Sequence, residues 1–313
     1  MGVEAMPIKI IEDLPVRKQL QQEQVYTIES SRAISQDIRP LKILILNLMP
    51  LKETTELQLL RLLGNSPLQI DVDFLHMSTH KSKNTATSYL QKFYKTIDEV
   101  KDDYFDGLIV TGAPVEKLDF DQVGYIKELR SVTDWAQSHI YSRFYICWGA
   151  QFALDYYYNV EKIRLDEKLF GVFPYQNKEA SHPYIRGFDD IYHVPQSRHT
   201  RVDYEKIKTV DQLKVLTCHP DFGPDIITSQ DQRDLYIFGH LEYDRDTLKK
   251  EYDRDASSGQ EVQLPINYYP GDNPEKTPLF QWKSHGHLLF NNWLNETYQN
   301  TLYDLSKLPE LQK

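Results

Sequence analysis

Residues 41–49 read LKILILNLM, a stretch in which Lys42 is the only charged side chain. A nearly unbroken apolar run of that length suits a strand covered on both faces, as in a parallel sheet between two layers of helices. Pro50 closes it. Glu53 to Leu63 is then rich in Leu and Glu and stops at Gly64-Asn65 as a helix does, and Leu68 to Met77 (LQIDVDFLHM) alternates like the next strand. The rhythm continues with a helix near 86–100, a strand at Gly107 to Thr111 (GLIVT), a helix near 121–139 and a strand at Phe144 to Trp148 (FYICW). Runs at Lys214 to Cys218 and Leu235 to Leu241 are expected to complete the same sheet. A charged helix from Asp246, an ordered loop at Leu264 to Pro278 and a closing helix at Leu288 to Tyr303 follow. Strands alternating with helices define a doubly wound α/β sheet.

Outside this block the chain is plainer. Residues 1–40 are polar and proline-punctuated and read as an N-terminal arm packed on the domain; residues 41–305 form the α/β domain and 306–313 a tail. Met6 offers a plausible natural start, with Met1 to Ala5 upstream of it. The formal charge of −10, from 36 basic and 46 acidic residues, disfavours nucleic acid and anionic membrane as partners and suits a small-molecule substrate. Only Cys147 and Cys218 are present, too few for a disulfide framework. No apolar stretch reaches the roughly eighteen residues that span a bilayer, and the N-terminus lacks a signal peptide's pattern, so a cytoplasmic location is expected.

The chemistry concentrates at Cys147. The strand FYIC gives way there to WGAQFAL, a small-residue segment able to turn into a helix. A nucleophile on such an elbow projects from the carboxyl edge of the sheet, where the next residue's N–H helps to bind an oxyanion and the helix N-terminus favours an anion. A buried core cysteine is the plain alternative. Cys218 lacks a helix start behind it and reads as structural, with His219 in a loop. His240 and Glu242 lie at i and i+2 after the strand LYIF, so strand alternation would put both on one face, the carboxylate orienting an imidazole that acts as base for the thiol. A surface His beside a surface Glu is the commoner case. His285 and His287 lack a third ligand at metal spacing and are expected to cap the last helix; His182, His193 and His199 are expected in polar loops. No metal is expected.

Several long segments, in one order, carry a resemblance: LKILILNLMP, GLIVTGAPVE, FYICWGAQ, EKLFGV, RGFDD, GHLEYD, NYYPGDNP and WKSHGHLLFNNWLN. Over residues 6–305 the chain resembles the homoserine O-acyltransferase family of the MetA type. The resemblance implies a class I glutamine amidotransferase-like fold, a homodimer, and the acylation of L-homoserine in methionine biosynthesis. It makes Cys147 the acyl-carrying nucleophile, His240 the proton acceptor and Glu242 its partner. Lys168, Ser197 and Arg254 correspond to the family's substrate contacts, and Lys52 to a lysine near its active site. Trp148 and Gly112 flank the expected oxyanion position. Within the family a glutamate at the position of Glu116 accompanies acetyl-CoA and a glycine succinyl-CoA; a second carboxylate there would repel the succinyl terminus. The expected reaction is therefore acetyl transfer from acetyl-CoA, a co-substrate, with no permanently bound cofactor. The alternatives are succinyl transfer and, more remotely, glutamine amidotransferase-type hydrolysis.

Overall fold

Alternate residues of the Leu41–Leu46 strand serve two different cores. Leu41, Ile43 and Ile45 pack with Leu59, Leu63, Phe290 and Trp293 on one side, and Leu44 and Leu46 pack with Leu129, Val132, Phe152 and Leu154 on the other. A strand buried on both faces has no solvent side to make polar, which is why its sequence is continuous rather than alternating. Neighbouring strands divide in the same way: Ile109, Phe144, Leu235 and Ile237 face the first core, and Val110, Tyr145, Tyr236 and Phe238 the second.

The computed structural model describes residues 8–10, 14–22, 27–29, 39–80, 84–259 and 262–312. The main sheet runs Leu213–Val215, Ile226–Ser229, Asp234–Ile237, Ile140–Ile146, Phe105–Val110, Leu41–Leu46, Ile70–Leu75, Ile8–Ile10, Thr27–Glu29, with Tyr94–Lys95 also pairing with Ile70–Leu75. Pairing is parallel from Asp234–Ile237 onward, and the first two strands join antiparallel. The helices Lys52–Leu63 and Lys283–Asn300 cover one face, and Ile126–His139 and Trp148–Tyr158 the other. This is the expected doubly wound sheet. Gly107 permits a tight contact on the first face: a Cβ there would lie 2.8 Å from both Ile43 and the Trp293 indole.

A second sheet was not expected. Its core is a long antiparallel hairpin, Lys162–Asn177 with Ile191–Val202, flanked by Thr217–His219 and Gly223–Pro224. The run LKVLTC therefore does not lie in one sheet. Leu213–Val215 belongs to the main sheet and Thr217–His219 to the second; Leu216 sits at the switch, with its N–H donating to Ile226 C=O and its own C=O accepting from Lys178 N–H. Both halves are apolar because each packs inward, so composition hides the change of partner.

Other expectations shift as well. His193 and His199 lie in the hairpin strand, not in loops, and His285 and His287 lie inside the Lys283–Asn300 helix rather than capping it. Gly286 lets that helix approach the chain at Leu241, where a Cβ would meet the carbonyl oxygen at 2.5 Å. The segment expected as a helix near 86–100 breaks into Thr87–Phe93, the strand Tyr94–Lys95 and the turn Ile97–Val100. No helix among the described residues is long and apolar enough to cross a membrane.

Candidate active site

The strand Ile140–Ile146 stops one residue before the cysteine, and Trp148 already begins the helix Trp148–Tyr158. Cys147 itself takes φ 51° and ψ −113°. For a residue with a Cβ that region costs on the order of 1–3 kcal/mol, and such strain persists where surrounding structure enforces it. Two contacts do so here: Cys147 N–H donates to Ile237 C=O at 2.7 Å, and Cys147 C=O accepts from Gln151 N–H at 3.1 Å. The following glycine is required by closeness, since a Cβ on Gly149 would lie 2.8 Å from Thr111 C=O. The small-residue signal after FYIC thus has a packing cause.

His240 and Glu242 meet, though not by strand alternation. The strand ends at Ile237, and a turn closed by Tyr243 N–H on His240 C=O carries both residues. Within it Nδ1 of His240 lies 2.6 Å from Oε1 of Glu242, both side chains being buried. Burial opposes the charged ring, but the Glu242 carboxylate and the Cys147 thiol, which the ring also hydrogen-bonds, hold the imidazole well above the usual histidine range. The ring stacks on Tyr243 at 4.1 Å and 14°. With Nδ1 committed to Glu242, the other ring nitrogen is left for the thiol.

Asp225, for which the sequence carries no motif, anchors this turn. It is buried, and it accepts from Gly239 N–H at 2.7 Å, Gln196 at 3.0 Å and the Tyr192 hydroxyl at 2.5 Å, while His240 N–H donates to Pro195 C=O at 2.9 Å. The imidazole-bearing turn is thereby fastened to the hairpin sheet. A lone Asp between the strand-like runs LKVLTC and LYIF gives no spacing signal that could have identified it.

A cavity of about 450 Å³ opens on Cys147 and His240 and is shared by Gly112, Glu116, Trp148, Lys168, Ser197 and Arg254. Seven separated segments of the sequence converge there, Met49-Pro50 among them. Lys168 arrives through a register shift between Arg164 and Leu169 in the hairpin, which re-aims the side chain as a bulge does. Its ammonium lies 3.5 Å from Asp255 and 3.8 Å from Glu251, over the Phe170 ring at 4.0 Å. Ser197 donates to Glu251 at 2.5 Å, Tyr243 donates to the other oxygen of Glu251 at 2.8 Å, and Arg254 pairs with Asp255 at 2.7 Å. Glu251 and Asp255, one turn apart on the helix Thr247–Ser257, have little to distinguish them in sequence. Their only signal is the i, i+4 spacing around Arg254 in a run of charges that reads equally as a solvated face.

Lys52 is not brought into this cavity. It is buried, neither at the thiol nor on the surface, and it lines an adjoining cavity of about 270 Å³ that shares Met49, Pro50, Pro114 and Val115 as a wall. Its ammonium donates to Asn47 C=O, and burial lowers its pKa to about 8 against the pull of Glu56. Glu116 sits half-exposed on the loop after Phe105–Val110, its C=O held by the Lys162 ammonium at 2.9 Å. Cys218 is buried in the second sheet, away from the cavity residues.

A doubly wound sheet with helices on both faces is the fold of the class I glutamine amidotransferase-like proteins. A glutamine amidotransferase from Thermotoga maritima superposes with a TM-score of 0.56 at 10% identity, over 84% of this chain and 100% of that one. A Thermoplasma acidophilum protein described as a GMP synthase component superposes with a TM-score of 0.54 at 15% identity, over 84% and 96%. Sequence narrows the class: the model of the family described as homoserine O-succinyltransferase matches residues 7–303, and the chain belongs to that family. Relatives named homoserine O-acetyltransferase are 48% identical in Acetivibrio thermocellus, over 97% of this chain and all of the relative, and 49% identical in Streptococcus pneumoniae, over 97% and 98%.

Proposed function

We propose that the protein is a cytoplasmic homoserine O-acetyltransferase of methionine biosynthesis, acting as a homodimer through a thioester on Cys147. The observation that carries this reading is the buried His240–Glu242 pair set against an elbow cysteine that opens into a cavity with both cations and carboxylates. In the first half-reaction Cys147 sulfur attacks the acetyl-CoA carbonyl as its proton passes to His240. The developing oxyanion meets Trp148 N–H, a first-turn amide with no acceptor inside its own helix, and an amide of the Gly112-Ala113 turn. The bond to the CoA sulfur breaks, and that sulfur leaves with the proton from His240. In the second, His240 takes the hydroxyl proton of homoserine as its oxygen attacks the acetyl carbonyl; the carbon–sulfur bond breaks and the proton returns to Cys147.

Homoserine is a zwitterion, which suits the mixed cluster. Its carboxylate takes the fork of Arg254 in place of Asp255, with Lys168 beside it, and Glu251 and Asp255 accept its ammonium. Glu116, on the wall of the same cavity, supports acetyl over succinyl, because a donor ending in carboxylate would meet like charge there. Release of CoA from acetyl-CoA and from succinyl-CoA, each with homoserine, tests the reading. A clear preference for acetyl-CoA is expected, and equal use or a succinyl preference removes the donor assignment. Ammonia release from glutamine instead would remove the acyltransferase itself.

A further inference from the structure

Tyr243 touches both halves of the site. It lies on the turn that carries His240 and Glu242, is buried, and lines the cavity. Its ring is stacked on the His240 imidazole, with centroids 4.1 Å and planes 14° apart. Its hydroxyl donates to Oε1 of Glu251 at 2.8 Å, while Oε2 of the same carboxylate accepts from Ser197 at 2.5 Å and lies 3.8 Å from the Lys168 ammonium.

The two contacts do different things. The hydrogen bond between Nδ1 of His240 and Glu242 fixes one axis of the imidazole and leaves the ring plane free to swing about it. A flat partner against one face removes that freedom, so that the second ring nitrogen is held toward the Cys147 thiol. The hydroxyl is not needed for the turn to form. The turn's backbone is held by Tyr243 N–H on His240 C=O at 3.2 Å, by His240 N–H on Pro195 C=O at 2.9 Å and by the Trp282 indole N–H on Tyr243 C=O at 2.8 Å. Nor does the hydroxyl ionise: burial first, then the charges of Glu251 and Glu242, hold the phenol well above its usual range, so it acts as a donor. Its effect is to set the ring, and with it the imidazole, at a fixed place relative to Glu251.

Under the proposed function Glu251 receives the ammonium of homoserine, and His240 must then meet the hydroxyl at the other end of the same small molecule. Acetylation of Cys147 makes no such demand, because no acceptor is present. We propose that Tyr243 is the positioning residue of the second half-reaction: its ring fixes the plane of His240, and its hydroxyl on Glu251 registers that plane with the bound acceptor. This rests on the acyltransferase reading of the site. The side chain thereby divides into a ring that serves both half-reactions and a hydroxyl that serves only transfer to homoserine.

Rapid-quench kinetics of the separate half-reactions in the wild type, Tyr243→Phe and Tyr243→Leu test it. Acetylation of Cys147 is read by mass spectrometry after mixing with acetyl-CoA alone, and discharge of the acetyl-enzyme is read at saturating homoserine. Tyr243→Phe keeps the stack and should acetylate at the wild-type rate with an unmoved pH profile, while discharge slows roughly tenfold, the loss expected for one hydrogen bond to a charged group. Tyr243→Leu removes the stack as well and should slow both steps. In Tyr243→Phe, wild-type discharge, an equal slowing of both steps, or an effect confined to KM for homoserine overturns the proposal; the last two are what a general packing defect and a plain acceptor-binding defect would give. Acetylation at the wild-type rate by Tyr243→Leu also overturns it, and if that variant does not fold the split in Tyr243→Phe decides alone. The wild type separates the two failures: an acetyl-enzyme that homoserine discharges, with Tyr243→Phe indistinguishable from it, sinks this assignment alone, whereas a wild type that takes up no acyl group from acetyl-CoA or succinyl-CoA and releases no CoA with homoserine sinks the acyltransferase reading with it.

Discussion

The parallel sheet and the antiparallel hairpin meet at one cavity but contribute different things to it. The sheet supplies Cys147 from the end of Ile140–Ile146 and His240 from the turn after Asp234–Ile237, both fixed by a core sealed on two faces. The hairpin supplies Lys168 and Ser197, cavity side chains that lean on Glu251 and Asp255. Under the proposed function the difference separates chemistry from recognition: changes on the sheet side should act on kcat, and changes on the hairpin side on KM for homoserine.

The largest effect is expected from Cys147→Ala, which leaves no atom to carry the acyl group. Transfer should fall by at least about 10⁴-fold in a CoA-release assay while the protein remains folded by circular dichroism. Trp293→Ala probes the sheet without touching the site. Its indole is fully buried against Gly107 and donates to Ser142 at 2.9 Å, so its removal should cost about 3–5 kcal/mol in denaturant unfolding, the range for large aromatic truncations.

Glu242→Gln should reduce kcat by on the order of a hundredfold, because the imidazole loses its orienting anion. The same substitution should move the pH profile. Burial lowers the His240 pKa and the Glu242 charge raises it, so removing the charge leaves burial less opposed and brings the alkaline limb of kcat/KM for acetyl-CoA to lower pH. An unmoved limb would mean that another group sets it. The linked stability follows the same sign: with the folded pKa raised above the unfolded one, the pair's contribution is complete below the ordinary histidine pKa and is lost as pH rises through the folded value. Glu251→Gln, on the recognition side, is expected to raise KM for homoserine about tenfold with kcat changed less. A kcat loss as large as that of Glu242→Gln would erase the division between the two sheets.

The same contrast explains what the sequence could convey. The parallel strands were legible because burial on both faces leaves a run such as LKILILNLM with no other economical reading. The elbow was legible from FYICWGAQ, where the glycine is needed against Thr111. The hairpin was not. In KIRLDEKLFGVFPYQN the first half is charged and irregular at the bulge, a proline and a glycine interrupt the second, and the face toward solvent varies along its length, so period two is broken several times. The His240–Glu242 contact is expected from strand alternation, yet a turn makes it. Asp225 and Glu251 stayed hidden because their partners, Gly239 and Tyr192 for one and Ser197 and Tyr243 for the other, are distant in sequence or lie in the unrecognised hairpin.

Everything assigned to catalysis requires acyl transfer onto the Cys147 sulfur before the acceptor arrives. Mixing the enzyme with acetyl-CoA alone, quenching within milliseconds in acid and mapping the peptides by mass spectrometry addresses that step. An added acetyl group on the peptide containing Cys147, discharged when homoserine is supplied, is the expected result; an unmodified peptide under conditions where full turnover proceeds would contradict the covalent route.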